Sequence, residues 1–306
     1  MKIVRASKKE VCNFHEQQEG SISYITFPKL EEIGNVSHLF TTREGGVSEG
    51  EFSSLNLSYT RGDDAECVEK NYRRVAKALG CEISDIVCSD QTHTVNVKRV
   101  ISQDKGKGVV RQKDYTDIDG LITNEPGIAL ATFYADCVPL YIVDIKNHAI
   151  GLSHSGWRGT VQKMGEVTLQ AMNQAYSTEP KDVRVAIGPS ICQSCYEVSE
   201  DVANEFMAAF PNAEQYEREY HNYLAQKEES EQIEHRSCLC YRKENGKYQL
   251  NLWFANYVVF REAGVAQEQI EITDVCTCCN SQLLFSHRAS HGRRGNLGAF
   301  LMIKSK

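Results

Sequence analysis

The stretch that decides the fold runs Ala135-Asp136-Cys137-Val138-Pro139-Leu140 and then, eleven residues on, Gly151-Leu152-Ser153-His154-Ser155-Gly156-Trp157-Arg158-Gly159-Thr160. Pro139 cannot donate to a sheet ladder, so Cys137, two residues earlier, belongs where a loop turns into a strand. Pro139 to Asp144 and His148 to Ser153 are almost continuously apolar, which predicts strands buried on both faces. After Ser153, Gly156 and Gly159 predict a tight turn into a helix beginning near Thr160. Arg158 then stands at a helix entrance, where backbone N–H groups and a guanidinium together suit an anion.

Outward from this block, further strands are expected at Val36–Thr42, Ile86–Cys88, Val95–Ile101, Gly127–Ala131, Val183–Gly188, Ile270–Ile272 and Gly298–Ile303. Apolar residues recur at three and four over Asp64–Leu79, Val161–Tyr176, Ser199–Phe210 and Asn251–Ala263, predicting helices. Strands outnumber helices and several follow one another directly. An α/β chain with mixed sheets therefore fits better than a doubly wound βαβ repeat. The polar stretch from Glu214 to Lys247 has room for a solvated helix and a hairpin but marks no domain boundary.

With 306 residues, 41% hydrophobic and 25% charged, the chain can bury a substantial core. A net charge of −7, without a Lys/Arg-dense run, argues against a nucleic-acid or anionic-membrane surface and leaves small polar substrates as partners. Met1 to His15 lacks the apolar run of a signal peptide, and no segment is long and apolar enough to span a bilayer, so a cytoplasmic location is expected. Twelve cysteines in such a chain are expected to be reduced thiols. The oligomeric state is not legible.

His93, Cys137 and His154 each lie at a strand end or the turn after it. Two imidazoles and one thiolate are a set zinc takes when a fourth position stays open. Each has a plain alternative: Cys137 as a core thiol, His93 in Asp90-Gln91-Thr92-His93 as a strand-end hydrogen bonder. His154 is the hardest to dismiss, because Trp157, Arg158 and two glycines share its turn. Arg43-Glu44-Gly45-Gly46 taken alone is a surface hairpin. Asn56 and Arg61 offer polar groups of the kind a ribose needs.

Eight segments in order resemble the bacterial laccase-domain family, once called polyphenol oxidases. They are Thr41-Thr42-Arg43-Glu44-Gly45-Gly46-Val47-Ser48, Ser54-Leu55-Asn56-Leu57, Gln91-Thr92-His93, Asp117 to Thr123, Ala135 to Pro139, His154 to Gly159, Gly188-Pro189-Ser190-Ile191 with Cys195-Tyr196-Glu197-Val198, and Phe285-Ser286-His287-Arg288. The resemblance covers nearly the whole chain and implies one domain over residues 1–306, an α/β/β/α sandwich. It implies a zinc-dependent purine nucleoside phosphorylase acting on adenosine, inosine and methylthioadenosine, with adenosine deaminase activity. By the same resemblance His93, Cys137 and His154 would bind the zinc and form the catalytic centre. A bound zinc lowers the pKa of water from about 15.7 to about 7, which would serve deamination at the purine C6. Phosphorolysis needs phosphate as co-substrate, for which Arg43 or Arg158 is the expected clamp, with Asn56 as a further substrate contact. Asp136 would relay a proton or, remaining ionised near a cation, orient a ligand. One departure stands at the C-terminus: where the family has a terminal Arg in a Gly-x-Thr-Gly-Arg-like run, this chain has Asn296, so Arg293 or Arg294 would have to take its place.

Three rivals accompany that reading. A metal-independent hydrolase would use Cys137 as nucleophile and His154 as base, and some relatives are described as peptidoglycan-editing factors. A copper polyphenol oxidase is disfavoured, because nine scattered histidines do not readily build a trinuclear centre, although Cu²⁺ would compete with Zn²⁺ for the same ligands in vitro. Cys192-Gln193-Ser194-Cys195 and Cys276-Thr277-Cys278-Cys279 carry two-residue spacings that a fold would have to bring together to make a second metal site or a disulfide. Cys238 and Cys240 are expected to be surface or strand thiols.

Overall fold

The protein, seen in a computed structural model, is described over residues 3–7, 11–16, 20–224 and 237–305. Two six-stranded mixed sheets lie face to face. The first runs, in spatial order, Asn13–His15, Tyr24–Thr26, Val36–Thr41, Leu297–Ile303, Ala129–Tyr134, Ile86–Cys88; the second runs Ile270–Ile272, Val183–Ile187, Val138–Asp144, Ala149–Ser155, Gly120–Thr123, Val97–Arg99. Most neighbours are antiparallel, while the first sheet ends on one parallel pair, 86–88 with 129–134, and the second on two, 97–99 with 120–123 and 270–272 with 183–187.

Side-chain alternation explains the layering. Tyr141, Val143, Ile150 and Leu152 point into the seam between the sheets, where they meet Phe40, Leu130, Leu297 and Leu301. Leu140 and Ile142 point the other way, onto the helices Met164–Tyr176, Glu200–Ala209 and Leu252–Glu262. On the outer face of the first sheet, Leu39, Ala131 and Phe300 are covered by Val68, Tyr72, Val75 and Leu79 of the helix Ala65–Leu79. This is the α/β/β/α sandwich that the resemblance implied. Each large side chain so buried contributes roughly 1.5–3 kcal/mol, and both faces of the second sheet are apolar for that reason.

The helix 65–79 also has legible ends. Asp64 caps it by accepting from the backbone N–H of Glu66 and Cys67, and Gly80 closes it in the left-handed conformation. Its buried Asn71 donates to the carbonyls of Ser54 and Asn56 and accepts from Val47 N, so the helix holds the 47–56 loop in place.

Two expectations need correction. The helix expected from Val161 is two helices, Trp157–Val161 and Met164–Tyr176, separated by Lys163 at φ 60°. Cys238 is a buried thiol against His221 Nε2 at 2.9 Å instead of a surface one; Cys240 opens the short strand Cys240–Arg242 and is also buried. The polar stretch 214–247 yields the helix Glu217–Leu224 and the hairpin of Cys240–Arg242 with Tyr248–Leu250, the part between 225 and 236 lying outside the described residues. All twelve cysteines are free.

Candidate active site

The chain crosses from the first sheet to the second at one end of the seam. It does so between Ile86–Cys88 and Val97–Arg99, and again between Ala129–Tyr134 and Val138–Asp144. His93 lies on the first crossing and Cys137 on the second, while His154 is near the end of the strand Ala149–Ser155, paired opposite Pro139. Residues separated widely in sequence are thereby brought within 4.8 Å of one another through their ligand atoms. Cys137 Sγ stands 3.9 Å from His93 Nε2, and the two imidazole rings meet edge to face at 5.0 Å.

Backbone torsions at the site depart from what ordinary side chains prefer. His93 has φ 67° and Asp136 has φ 91°, conformations that persist only when surroundings impose them. Gly156 is required for a different reason. A Cβ there would stand 2.8 Å from His93 Cδ2 and 3.2 Å from Cys137 Sγ, so only glycine lets the start of the 157–161 helix approach the ligands. The expected tight turn is absent: Gly156 caps a helix that starts at Trp157, and Gly159 is inside it.

One carboxylate organises the centre. Asp119, fully buried, accepts five hydrogen bonds: from the His154 ring at Nδ1 (2.7 Å), from the backbone N–H of Thr92, His93 and Thr94, and from the Thr94 hydroxyl. Burial raises its pKa, but the His154 ring and these donors outweigh it and hold the carboxyl below its usual range. His154 is thus oriented through Nδ1, and its other ring nitrogen faces Cys137. Burial would push the Cys137 thiol up; the two imidazoles override it and bring it down to about 6. Burial likewise opposes a charge on His154, yet Cys137 and Asp119 raise it to about 9. Those opposite shifts favour a thiolate beside an imidazolium at neutral pH, and the imidazolium proton is of the kind that a metal ion displaces on binding.

That donor set fits zinc. Two imidazole nitrogens and one thiolate converge, and one of the histidines hands its second nitrogen to a carboxylate, as zinc-bound histidines do. Asp119 was not singled out from sequence, although it lies in the Asp117–Thr123 segment. The requirement that a metal-bound histidine have an acidic partner was the signal available.

Above the three residues opens a cavity of about 820 Å³. Tyr59, stacked on Tyr72 at 5.7 Å, and Phe133 form an aromatic side. Of the four cations that line it, Arg111 is engaged by the carbonyls of Gln103 and Lys105 and Lys113 by Ser89 and Asp90, which leaves Arg61 and Arg294 as its cationic side. Arg294 Nη1 donates to the Gly295 carbonyl and to Asn296 Oδ1, while its buried Nε has no hydrogen-bond partner. Burial, seconded by the Arg61 charge, lowers its pKa to about 10.

Arg43, Asn56 and Arg158 do not reach this cavity. The Arg43 guanidinium donates to the carbonyls of Ser53 and Ser281 and lies 4.6 Å over the Phe285 ring. Asn56 is buried, bonded to Ser58, Asp63 and the Asn296 N–H, where it fastens the 56–63 loop to the C-terminal segment. Arg158 is exposed and stacks on Trp157 at 4.2 Å. Asp136 turns its carboxylate to Thr277 Oγ1 (2.6 Å) and the Arg288 N–H (2.7 Å), joining three loops behind Cys137.

Fold and site together define a laccase-domain protein: the chain matches, over residues 37–304, the family described as multi-copper polyphenol oxidoreductase laccase, and belongs to it. Within that class it is 32% identical over 268 residues to the purine nucleoside phosphorylase YlmD of Bacillus subtilis (strain 168), covering 87% of each chain. It is 34% identical over 266 residues to the YlmD of Geobacillus stearothermophilus, also called a purine nucleoside phosphorylase, covering 85% of this chain and 88% of the relative. The crystal structure of the latter species' YlmD superposes with a TM-score of 0.78 at 30% identity, and that of Bacillus licheniformis YfiH with 0.79 at 29%, each covering 95% of this chain and 99% of the other. No helix among the described residues is long and apolar enough to cross a membrane.

Proposed function

We propose that the protein is a zinc-dependent purine nucleoside phosphorylase whose metal is held by His93, Cys137 and His154. The observation that carries this is the convergence of a three-donor, Asp119-supported metal site with Arg61 and Arg294 on one cavity, as a reaction between a nucleoside and phosphate requires. The relatives named purine nucleoside phosphorylase support it, and adenosine, inosine and methylthioadenosine are the substrates to be tried. Among the described residues the groups able to hold a metal are this one and a set of four cysteines, so no histidine-rich cluster of the kind a multicopper oxidase uses is at hand.

Bound zinc would supply Lewis acidity at the floor of the cavity. The rest is done by the chain. Arg294, with a free buried Nε, and Arg61 beside it hold and orient phosphate against the ribose C1′; in the forward reaction a phosphate oxygen bonds to C1′ as the bond to the purine nitrogen breaks. Tyr59 and Phe133 offer ring faces to the base. Asp119 keeps His154 in one tautomer and fixes the His93 backbone. Asp136, its oxygens engaged by Thr277 and Arg288, acts as a positioning residue for Cys137. The proposed substrate contacts are therefore Arg61 and Arg294, in place of Arg43, Asn56 and Arg158. The same site would accept adenosine for deamination at C6.

The test is release of hypoxanthine and adenine from inosine and adenosine by metal-analysed protein, with and without phosphate and chelator. Release that requires both phosphate and zinc supports the phosphorylase; inosine formed from adenosine without phosphate assigns deamination. A second reading has one observation in its favour, the convergence of Cys137 and His154 with Asp119 behind the imidazole, which is a Cys-His-Asp arrangement. Under that reading chelation is harmless and alkylation of Cys137 abolishes turnover.

A further inference from the structure

The strands Val183–Ile187 and Ile270–Ile272 are parallel neighbours, in register from Val185 opposite Ile270 to Ile187 opposite Ile272. The turns that follow them therefore leave the sheet at the same end, and a bridge between Ser190 and Cys276 keeps them together. Cys192 and Cys195 lie on one turn, Cys276 and Cys279 on the other. Their four sulfurs lie within 4.8 Å of one another, with Cys195 to Cys279 at 3.4 Å and Cys192 to Cys279 at 4.0 Å.

Those spacings match a mononuclear tetrahedral ion. Zinc–sulfur bonds of about 2.3 Å place the ligand sulfurs about 3.8 Å apart. A four-iron cluster needs its cysteines farther apart, outside the cube of iron and sulfide. Each pair also has the two-residue spacing that lets one turn supply two ligands. The Cys276 sulfur is already cradled, accepting from the backbone N–H of Cys192 at 3.2 Å and of Cys279 at 3.4 Å, an arrangement that suits a thiolate. Simple core packing does not account for the group, since Cys279 is exposed and Cys195 partly so.

We propose that Cys192, Cys195, Cys276 and Cys279 bind a second zinc ion in a closed, four-thiolate structural site. Binding converts four thiols to thiolates and releases their protons to solvent, with no change of oxidation state. All four positions are taken by protein, so the ion stiffens the fold and does no chemistry. Its place in the molecule gives it a task. Thr277, between two of the ligands, donates to Asp136 Oδ1, and Ile191, next to Cys192, donates through its N–H to the Asp136 carbonyl at 3.1 Å. The ion would lock together the two turns that hold the residue preceding Cys137.

The site is tested in the full chain purified under reducing conditions and carrying His93→Ala and Cys137→Ser, which disable the cavity ligands. This protein is expected to retain about one zinc per chain and, after exchange with cobalt, to show the intense absorption of cobalt bound by four thiolates; adding Cys276→Ser or Cys279→Ser should remove both signals. A folded double variant with less than about a tenth of an equivalent of zinc and no cobalt–thiolate absorption overturns the proposal. So does peptide mapping that finds Cys195 joined to Cys279 by a disulfide in the protein as isolated. The wild-type chain gives a check that no substitution can confound. Its cobalt spectrum should contain the four-thiolate component, and a spectrum carrying only one thiolate per cobalt refutes the site whatever the cavity ligands do.

Discussion

At the scale of single residues, the site depends on which charge each group carries. Folding favours ionised Cys137, whose pKa falls from 9.0 to about 6, so its contribution to stability is present above the unfolded value and is lost as pH falls toward 6. His154 rises from 6.5 to about 9; its contribution is full below 6.5 and lost as pH climbs through 9. In metal-free protein the ion pair thus occupies the window between those two values. Iodoacetamide applied to chelated protein should label Cys137 with a midpoint near pH 6, while Cys88 and Cys238, both pushed up to about 12 by burial, stay unlabelled. Mass spectrometry of the modified peptides reads this, and a midpoint near that of a free thiol would refute the pair. A second prediction concerns Arg294. Its loss in Arg294→Met should raise the phosphate KM by roughly 10- to 150-fold, the equivalent of about 1.5–3 kcal/mol for a charge-assisted contact, with Arg294→Lys restoring only part. Arg43→Met should lower stability and leave that KM alone; the reverse pattern in steady-state kinetics would return the phosphate to Arg43. Sequence alone pointed to His93, Cys137 and His154, which the fold brings together, because metal-binding residue types are few. It could not rank the arginines, since whether a guanidinium meets carbonyls, a ring or open space is decided by packing across the molecule.

Elements were legible in proportion to their length and apolarity. The strands Val138–Asp144 and Ala149–Ser155 and the helix Ala65–Leu79 announce themselves because burial on one face or both forces a regular pattern. Asn13–His15 and Tyr24–Thr26 carry too few alternations to show one, whereas Ile86–Cys88, equally short, is apolar throughout and legible for that reason. In the block His154 to Thr160 the local pattern and the structure part for a physical reason. Two glycines suggested a turn, yet Gly156 is present because His93 and Cys137 leave no room for a Cβ, a constraint imposed by residues distant in sequence. Gly156→Ala should accordingly leave the circular dichroism spectrum intact and melt like chelated wild-type protein, while cutting zinc content and turnover by roughly tenfold or more as the ligands are forced apart. Zinc analysis beside thermal melting separates the outcomes: full metal occupancy in the alanine variant would show that the two ligands can yield at no cost.

At the scale of the whole molecule, the cavity site is placed where the two sheets are joined. His93 and Cys137 ride on the two crossings from the first sheet to the second, and His154 belongs to the second sheet itself, so an ion bound by all three ties the layers at one end of their shared core. That core is otherwise held by side chains such as Leu130, Tyr141 and Leu301, which act by burial and do not fix the separation of the crossing loops. Unfolding must disperse ligands drawn from separate elements, so a bound ion stabilises the native state by RT ln(1 + [Zn]/Kd), about 2.7 kcal/mol at a hundredfold excess over Kd and about 4.1 at a thousandfold. For a chain of 306 residues each kcal/mol moves Tm by roughly 1.5 °C, which predicts a rise of about 4–6 °C when zinc is returned to chelated protein. The increment belonging to this site is the part abolished by Cys137→Ser, in which one donor is exchanged for a hydroxyl of similar shape while the sheets stay intact. Differential scanning calorimetry of both proteins across a zinc titration measures it. If the two melt alike at every zinc concentration, then the seam is held by its apolar core alone and His93, Cys137 and His154 do not join the sheets through a metal.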